Sequence, residues 1–155
     1  SRDLYGLAQI SIGQGRVLTT PIHMATIAAA VANAGLAMRP RLIAHEPPDA
    51  MGRFMQPATA ARLVRMMRRV VTEGTARSIA DERLAIAGKT GTAENPRGKS
   101  HSWFIGFAPA AAPELAVAVL VEHGGYGSKA AAPIARDLLL EGLGRGTDDE
   151  AKQAP

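Results

Sequence analysis

The chain has 155 residues, of which 46% are apolar and 21% charged, with a formal net charge of +4. This composition indicates a folded globular unit rather than a disordered chain, and the absence of cysteine excludes disulfides, thiolate chemistry and cysteine-ligated zinc. No apolar run approaches ~18 residues, so we expect no membrane segment in this chain. Because the first residue is serine rather than methionine, we expect a piece of a longer protein.

Much of the basic excess lies in one short stretch, at Arg62, Arg65, Arg68 and Arg69. A basic helix can meet nucleic acid or anionic lipid. Aromatic residues make up only 4% of the chain, however, and none lies among these arginines to stack on bases. We therefore interpret the stretch as a solvated helix face and expect no nucleic-acid partner.

The first half of the chain predicts helices joined by irregular segments. Residues 10–15 mix isoleucine with glycine and are typical of a short extended piece that runs into a turn. Thr20 and Pro21 then suit the N-cap and first position of a helix, which Gly35 can close. Most of this helix should be buried, because nearly all its residues are apolar. A short strand is predicted at residues 41–43, and Pro57 begins an amphipathic helix that ends at Gly74.

The second half predicts an antiparallel sheet followed by a helix. Strands are expected at residues 86–94, 101–107 and 115–122, with short turns between them. A last helix should start near Ala132 and end at Leu140, since Pro133 fits a first turn better than a helix interior. The fold class is therefore α+β, with about three antiparallel strands and helices on one side. Residues 1–141 are expected to form the folded unit, and residues 142–155 a mobile tail.

A sheet of three strands with helices on one side is incomplete. It needs more helix on its bare face or more strands at its edge. We therefore expect the chain to require a partner segment, and to expose the edge at residues 115–122 and an apolar sheet face when that segment is absent. The chain should then self-associate, pair with its missing half as a nicked protein, or fold poorly.

The stretch with the densest chemistry is Ala87-Gly88-Lys89-Thr90-Gly91-Thr92-Ala93-Glu94. A phosphate-binding loop also ends in Gly-Lys-Thr, but it requires an earlier glycine. Arg83 stands six residues before Lys89, where the motif has its first glycine, and Leu84 stands five before it, so the spacing excludes that loop. The other known setting of Lys-Thr-Gly is the active-site strand of serine acyl-transfer enzymes that react with β-lactams.

On a strand, these residue types would suit the recognition of a carboxylate. Thr90 and Thr92 would point to one face and Lys89 to the other. Two hydroxyls and an ammonium can bind a carboxylate, while Gly91 lets an extended substrate approach the strand edge. The Thr92 N–H could face a developing oxyanion, a contact worth about 10²–10³ in rate. The alternative is an ordinary hairpin strand with a surface lysine.

The surrounding sequence resembles the transpeptidase domain of class B (monofunctional) penicillin-binding proteins, of the elongation type or the related cell-division type. The matching pieces, in order, are Ile12-Gly13-Gln14-Gly15, Thr20-Pro21-Ile22-His23-Met24-Ala25, Ala32-Asn33-Ala34-Gly35, Gly74-Thr75-Ala76, the Lys89 stretch, Trp103-Phe104-Ile105-Gly106-Phe107-Ala108-Pro109 and the apolar strand before Glu122. The resemblance runs from about Ala8 to Leu140.

The resemblance implies the C-terminal half of a serine β-lactamase/transpeptidase-like fold that cross-links peptidoglycan. Lys89 would sit beside a catalytic serine. Thr90 and Thr92 would bind the substrate carboxylate, Gly91 would be a further substrate-binding residue, and the Thr92 amide would form half of an oxyanion hole. The implied partners are D-Ala-D-Ala stem peptides, β-lactams, the N-terminal half of the same domain and a membrane glycan polymerase. The parent would be anchored in the cell membrane with this domain on its extracytoplasmic side. No metal or cofactor is expected.

The chain lacks the nucleophile that this chemistry needs. No serine is followed by lysine three residues later or by asparagine two residues later, so Ser-x-x-Lys and Ser-x-Asn are both absent. In the family both motifs precede Lys-Thr-Gly, and we expect them upstream of Ser1. The chain alone is therefore predicted to be inactive.

Two alternatives remain open. A β-lactam hydrolase or D,D-carboxypeptidase of the same superfamily would share Lys-Thr-Gly, and a non-catalytic interaction module would need no serine. Among the other candidates, His101 and the pair Trp103 and Phe104 could edge a cleft, although a turn-exposed imidazole and core aromatics are the simpler interpretations. Residues 124–127 could form a lip of the cleft or a plain connector.

Overall fold

The computed structural model describes residues 3–43 and 45–145, which form four α-helices, five strands and one short 3₁₀ turn. The elements in chain order are α1 (Leu4–Ser11), α2 (Pro21–Ala32), β1 (Leu36–Met38), β2 (Ala50–Arg53), α3 (Pro57–Thr72), the 3₁₀ turn (Arg77–Ile79), β3 (Ala87–Ala93), β4 (His101–Ala108), β5 (Leu115–Val121) and α4 (Ala131–Gly142).

The central sheet has the order β3-β4-β5 and is antiparallel throughout, which confirms the predicted meander. Its register places Thr90 opposite Phe104, and Phe104 opposite Val119. Within the described residues, β3 and β5 are therefore the two edge strands of this sheet.

Helices cover both faces of the sheet, so the prediction of helices on one side was wrong. Phe104 is buried against Ala131 and Ala132 of α4. Phe107, three residues further along β4 and so on the opposite face, is buried with Val31 of α2 and Met67 of α3. The apolar stretches of α2 and α4 look alike in the sequence, and periodicity alone does not say which sheet face each one covers.

Helix α2 begins as predicted, because the Thr20 hydroxyl accepts a hydrogen bond from the His23 N–H at 3.3 Å and Pro21 takes the first helical position. Gly35, with φ of +88°, follows its end in the left-handed region. The helix is less buried than expected. Only Ala28, Ala30 and Val31 are buried, and the first three residues of the helix are exposed.

The N-terminal segment is helical, where an extended piece was predicted. The Asp3 carboxylate accepts a hydrogen bond from the Gly6 N–H at 2.8 Å and caps α1. The two glycines that suggested a strand end instead form the turn after the helix, with φ of +75° at Gly13 and +74° at Gly15. No residue of α1 is buried, so apolar burial did not determine its conformation.

The predicted strand at residues 41–43 is also absent. Leu42 is 99% exposed and so has no core to pair against. Instead, strand β1 before residues 41–43 pairs with strand β2 after them in a two-stranded sheet, with Leu36 opposite Arg53 and Ala37 opposite Gly52.

Helix α3 begins at Pro57 as predicted, and one of its arginines does not belong to the solvated face. Arg62, Arg65 and Arg69 are exposed. Arg68 instead donates a hydrogen bond to the Ile86 carbonyl at 3.0 Å, immediately before β3. This contact ties the helix to the outer edge of the sheet.

Across the part of the chain that the structure describes, no helix combines the length and apolarity needed to cross a membrane. Helix α4 ends at Gly142, the first residue of the predicted tail at 142–155. Residues 146–155 of that tail lie outside the described residues.

The turn before β3 is built on Asp81, whose side chain is only 10% exposed. It accepts hydrogen bonds from the Arg83 N–H at 2.9 Å and the Leu84 N–H at 3.4 Å, and Arg136 of α4 lies 3.7 Å away. The hydrogen bond from the Arg83 side chain, helped by the backbone bonds, holds the pKa of Asp81 below its ordinary value.

Replacing this carboxylate is expected to destabilise the fold in a pH-dependent way. Because the folded-state pKa is lowered, the stabilisation is complete above the ordinary value of about 3.9 and is lost as the pH falls through the folded value. Asp81→Ala should lower the free energy of unfolding at pH 7 by about 1–3 kcal/mol, and the difference from wild type should shrink toward pH 3. Urea unfolding at both pH values measures this. Asp49→Ala, which removes an exposed ion pair with Arg39, should change stability by less than about 1 kcal/mol.

Candidate active site

A cleft of about 1270 Å³ lies over one face and the free edge of β3. Its floor is formed by part of β3 together with Trp103 and Ile105 of β4 and Leu120 of β5. Its other wall is formed by Met24 and by residues of the N-terminal segment: Gln9, Ile12, Gly13, Gln14, Gly15, Val17, Leu18 and Thr19. All the residues from Lys89 to Ala93 line it. The cleft thus contains the stretch that the sequence singled out.

Lys89 and Thr92 are exposed at this cleft, whereas Thr90 is only 9% exposed. The register pairs Lys89 with Ile105 and Thr92 with Ser102, so their side chains lie on opposite faces of the sheet, as the alternation predicts. The Lys89 ammonium turns back along the strand and donates to the Thr90 carbonyl at 2.5 Å. The cation is therefore held at the free edge of β3.

The hydroxyl of Thr90 is paired with that of Thr75, at 2.7 Å. Thr75 lies in the turn after α3, in the Gly-Thr-Ala sequence. Either oxygen can donate, so Thr75 can accept the Thr90 proton or leave it free for a ligand. The sequence placed Gly74-Thr75-Ala76 among the matching pieces but gave Thr75 no role.

Along β3 and its flanking residues, even-numbered residues have backbone partners outside the sheet. The carbonyls of Thr90 and Thr92 accept from Lys89 and Gln14, the carbonyl of Ile86 just before the strand accepts from Arg68, and the N–H of Glu94 just after it donates to Gln14. In an antiparallel pair, a residue that does not bond its opposite residue points both its N–H and its C=O to the other side. The Thr92 N–H therefore faces the free edge, as an oxyanion donor must.

The charges of the cleft are separated along its length. The Lys89 cation lies near the start of β3, whereas Glu94 and Glu122 line the cleft at the opposite end, where Ala93 pairs with His101. A ligand carboxylate is therefore favoured at the lysine end and repelled at the other.

Two histidines at the end of the β4–β5 hairpin lie in contact. The ring centroids of His101 and His123 are 5.0 Å apart, the His123 N–H donates to His101 Nδ1 at 3.1 Å, and Asn95 lies 2.9 Å from His101 Nε2. His101 is half-buried at the cleft end, not turn-exposed. Among residues 3–43 and 45–145, no three His, Asp or Glu side chains converge as a metal site requires.

The aromatic pair divides between cleft and core. Trp103 is half-buried and lines the cleft, so its interpretation as core was wrong, whereas Phe104 on the other face is fully buried. Residues 124–127 do not line the cleft. Gly127 instead packs against the strands, because a Cβ there would lie 2.4 Å from the carbonyl oxygens of Gly91 and Trp103.

The fold and this cleft belong to a known class of protein. A family model described as the penicillin binding protein transpeptidase domain matches residues 2–140, so the chain belongs to the penicillin-binding protein transpeptidase family. This confirms the resemblance drawn from the motifs and the α+β fold class.

Two curated relatives carry the name peptidoglycan D,D-transpeptidase PbpA. The chain is 39% identical over 170 residues to PbpA of Mycolicibacterium smegmatis, covering 94% of this chain and 33% of that protein. It is 41% identical over 162 residues to PbpA of Mycobacterium tuberculosis, with 91% and 33% covered. The chain thus spans about a third of the length of these relatives.

Solved structures of a relative have a fold similar to that of this chain. Penicillin-binding protein A from M. tuberculosis, as its penicillin G acyl-enzyme complex, superposes with a TM-score of 0.81 at 37% identity over 92% of this chain and 36% of that one. The imipenem acyl-enzyme complex of the same protein gives a TM-score of 0.81 at 38% identity, over 88% and 34%.

Proposed function

We propose that this chain forms one wall of the active site of a peptidoglycan D,D-transpeptidase, which cross-links stem peptides through a serine acyl-enzyme and is acylated by β-lactams. The observation that carries the proposal is the free edge of β3, where the Lys89 ammonium, the Thr90 and Thr92 hydroxyls and the Thr92 N–H all border one cleft. The nucleophilic serine comes from residues outside this chain.

Each group has a distinct task in this proposal. The carboxylate of a D-Ala-D-Ala stem, or of penicillin, binds the Thr90 and Thr92 hydroxyls beside Lys89. Gly91 carries no side chain, so the acyl donor can lie along the strand edge. When the serine oxygen attacks the scissile carbonyl, the Thr92 N–H donates to the developing oxyanion. Lys89 assists proton transfer at the serine.

In this proposal the chain is one part of a larger, membrane-anchored protein. The preceding half of the domain covers the exposed apolar residues around α1, which include Leu4, Tyr5 and Leu7, and in its absence the chain self-associates. Residues 1–141 belong to the domain and residues beyond form a tail. The whole protein is anchored in the cell membrane with this domain on the extracytoplasmic side, where a membrane glycan polymerase supplies its substrate.

A hybrid enzyme tests this function. In this hybrid, the chain replaces the matched third of M. tuberculosis PbpA. With a D-Ala-D-Ala peptide as donor and a D-amino acid as acceptor, we expect release of D-Ala and formation of the exchanged peptide, together with slow release of bound penicillin. Rapid repeated turnover of penicillin would instead establish the hydrolase alternative. A folded hybrid that neither exchanges D-Ala nor retains penicillin would support a non-catalytic module.

Removal of the Thr75 hydroxyl should slow acylation, because Thr75 contacts the site residue Thr90. Thr75→Val leaves the buried Thr90 hydroxyl without its partner, and a buried polar group that loses its partner costs ~1–3 kcal/mol. We expect penicillin acylation of the hybrid to slow by about tenfold, the rate equivalent of ~1.4 kcal/mol. Thr72→Val is the matched control, since that exposed hydroxyl bonds only its own helix. Equal rates for the two variants would contradict a role for Thr75.

A further inference from the structure

The Gly13-Gln14-Gly15 turn is shaped to present one side chain. Both glycines have φ near +75°, a conformation that other residues adopt with strain. The Gln14 N–H bonds the Gln9 carbonyl at 2.9 Å, which folds the turn back on α1. Gln14 is half-buried, whereas every other residue from Ser11 to Thr20 is exposed.

The Gln14 amide pairs with the free edge of β3. Its Nε2 donates to the Thr92 carbonyl at 3.1 Å, and its Oε1 accepts from the Glu94 N–H at 3.3 Å. These contacts join residues 78 and 80 positions apart in the sequence. A carboxamide can present an N–H and a C=O to the same side, as one residue of a β-strand does. Gln14 thus replaces one residue of a neighbouring strand.

This pairing bears directly on Thr92. The carbonyl that Gln14 holds belongs to the residue whose N–H faces the cleft, so fixing one fixes the direction of the other. Glu94 has a single N–H, and Gln14 occupies it, so strand pairing by a ligand cannot continue beyond Thr92. The Thr92 carbonyl keeps a second lone pair that a ligand amide can use.

We propose that Gln14 is a positioning residue that caps the free edge of β3, orients the Thr92 N–H and ends ligand pairing at Thr92. The inference rests on the proposed function, and it has one consequence that does not depend on catalysis. The Glu94 amide should be protected from hydrogen exchange by Gln14 alone, whereas the Ala93 amide is protected by β4.

Amide exchange of the hybrid, measured by NMR, tests the cap itself. Gln14→Met keeps the length of the side chain and removes both bonds, so exchange at Glu94 should accelerate by about tenfold, the size expected for one lost hydrogen bond. Exchange at Ala93 should not change. Gln14→Glu retains an acceptor for Glu94 and should preserve its protection. Unchanged exchange at Glu94 in Gln14→Met would overturn the inference whether or not the hybrid is active.

Acylation kinetics test the positioning. In both Gln14 variants the Thr92 carbonyl loses its donor, so the rate constant of penicillin acylation should fall by about tenfold while the dissociation constant of the pre-acylation complex stays nearly constant. Gln56→Met is the matched control, because that exposed glutamine makes no capping bond. Faster exchange at Glu94 with unchanged acylation would overturn the positioning role. An inactive wild-type hybrid would instead count against the proposed function.

Discussion

Replacement of Lys89 by methionine is expected to lower the rate of penicillin acylation of the hybrid by about 10²–10⁴-fold, the range for loss of a positioned proton-transfer group. Methionine keeps the length of the side chain and removes the ammonium, which now lies 2.5 Å from the Thr90 carbonyl at the edge of β3. Stopped-flow measurement with a fluorescent penicillin gives the rate, and thermal unfolding shows whether the fold is intact.

Lys129→Met provides the control for charge alone, since Lys129 does not line the cleft of Lys89. If both variants acylate at the wild-type rate, Lys89 has no part in the chemistry. If Lys89→Met fails to acylate only because it is unfolded, Lys89→Arg, which retains the cation but not its compact shape, should still acylate more slowly than wild type.

Truncation of Phe104 should have the largest effect on stability. Its side chain is fully buried between the sheet and α4. The ring also covers two facing glycines, because Cε1 lies 2.9 Å from where a Cβ of Gly88 or Gly106 would stand. Phe104→Ala should lower the free energy of unfolding by about 3–5 kcal/mol, as expected for a large cavity. Urea unfolding of the hybrid measures the loss.

The matched control is Phe54→Ala, at a site that is 47% exposed, where the loss should be much smaller. Because Phe104 stands opposite Thr90 in the register, its truncation should also reduce acylation in the fraction of molecules that stays folded. Similar losses for the two variants would contradict the position of Phe104 at the centre of this core.

The sequence predicted the sheet well because its signals are local. Alternating apolar residues bounded by strong turn residues defined β3, β4 and β5 to within about two residues at each end, within the usual uncertainty of element boundaries. The same holds for α2 and α3, which begin at prolines. Their caps are properties of three or four consecutive residues.

The sequence-based predictions were wrong where the conformation depends on contacts between distant residues, or where no buried contact determines it. Residues 4–11 form a helix that buries no side chain within the described residues, so packing against the core did not determine its conformation. The distribution of α2 and α4 over opposite faces is a tertiary property that neither helix encodes alone.

The sequence predicted the strand at the centre of the candidate site but not the residues that contact this strand. Lys89, Thr90 and Thr92 were found because their motif is contiguous. Thr75 and Gln14 reach the strand across loops, at separations of 15 and 78 residues, and a single sequence gives no measure of such distances. The glycines on either side of Gln14 were the one available signal, since they mark a turn that leaves the residue between them exposed to a partner.

In the proposed function, β3 of this chain serves a serine that another part of the protein supplies. The intact mass of the protein after incubation with penicillin G tests this assignment. We expect one penicilloyl adduct on the hybrid, located by peptide mapping on a serine of the mycobacterial part, and none on the chain alone. An adduct on one of the chain's own serines, or a folded hybrid that gains no mass, would contradict it.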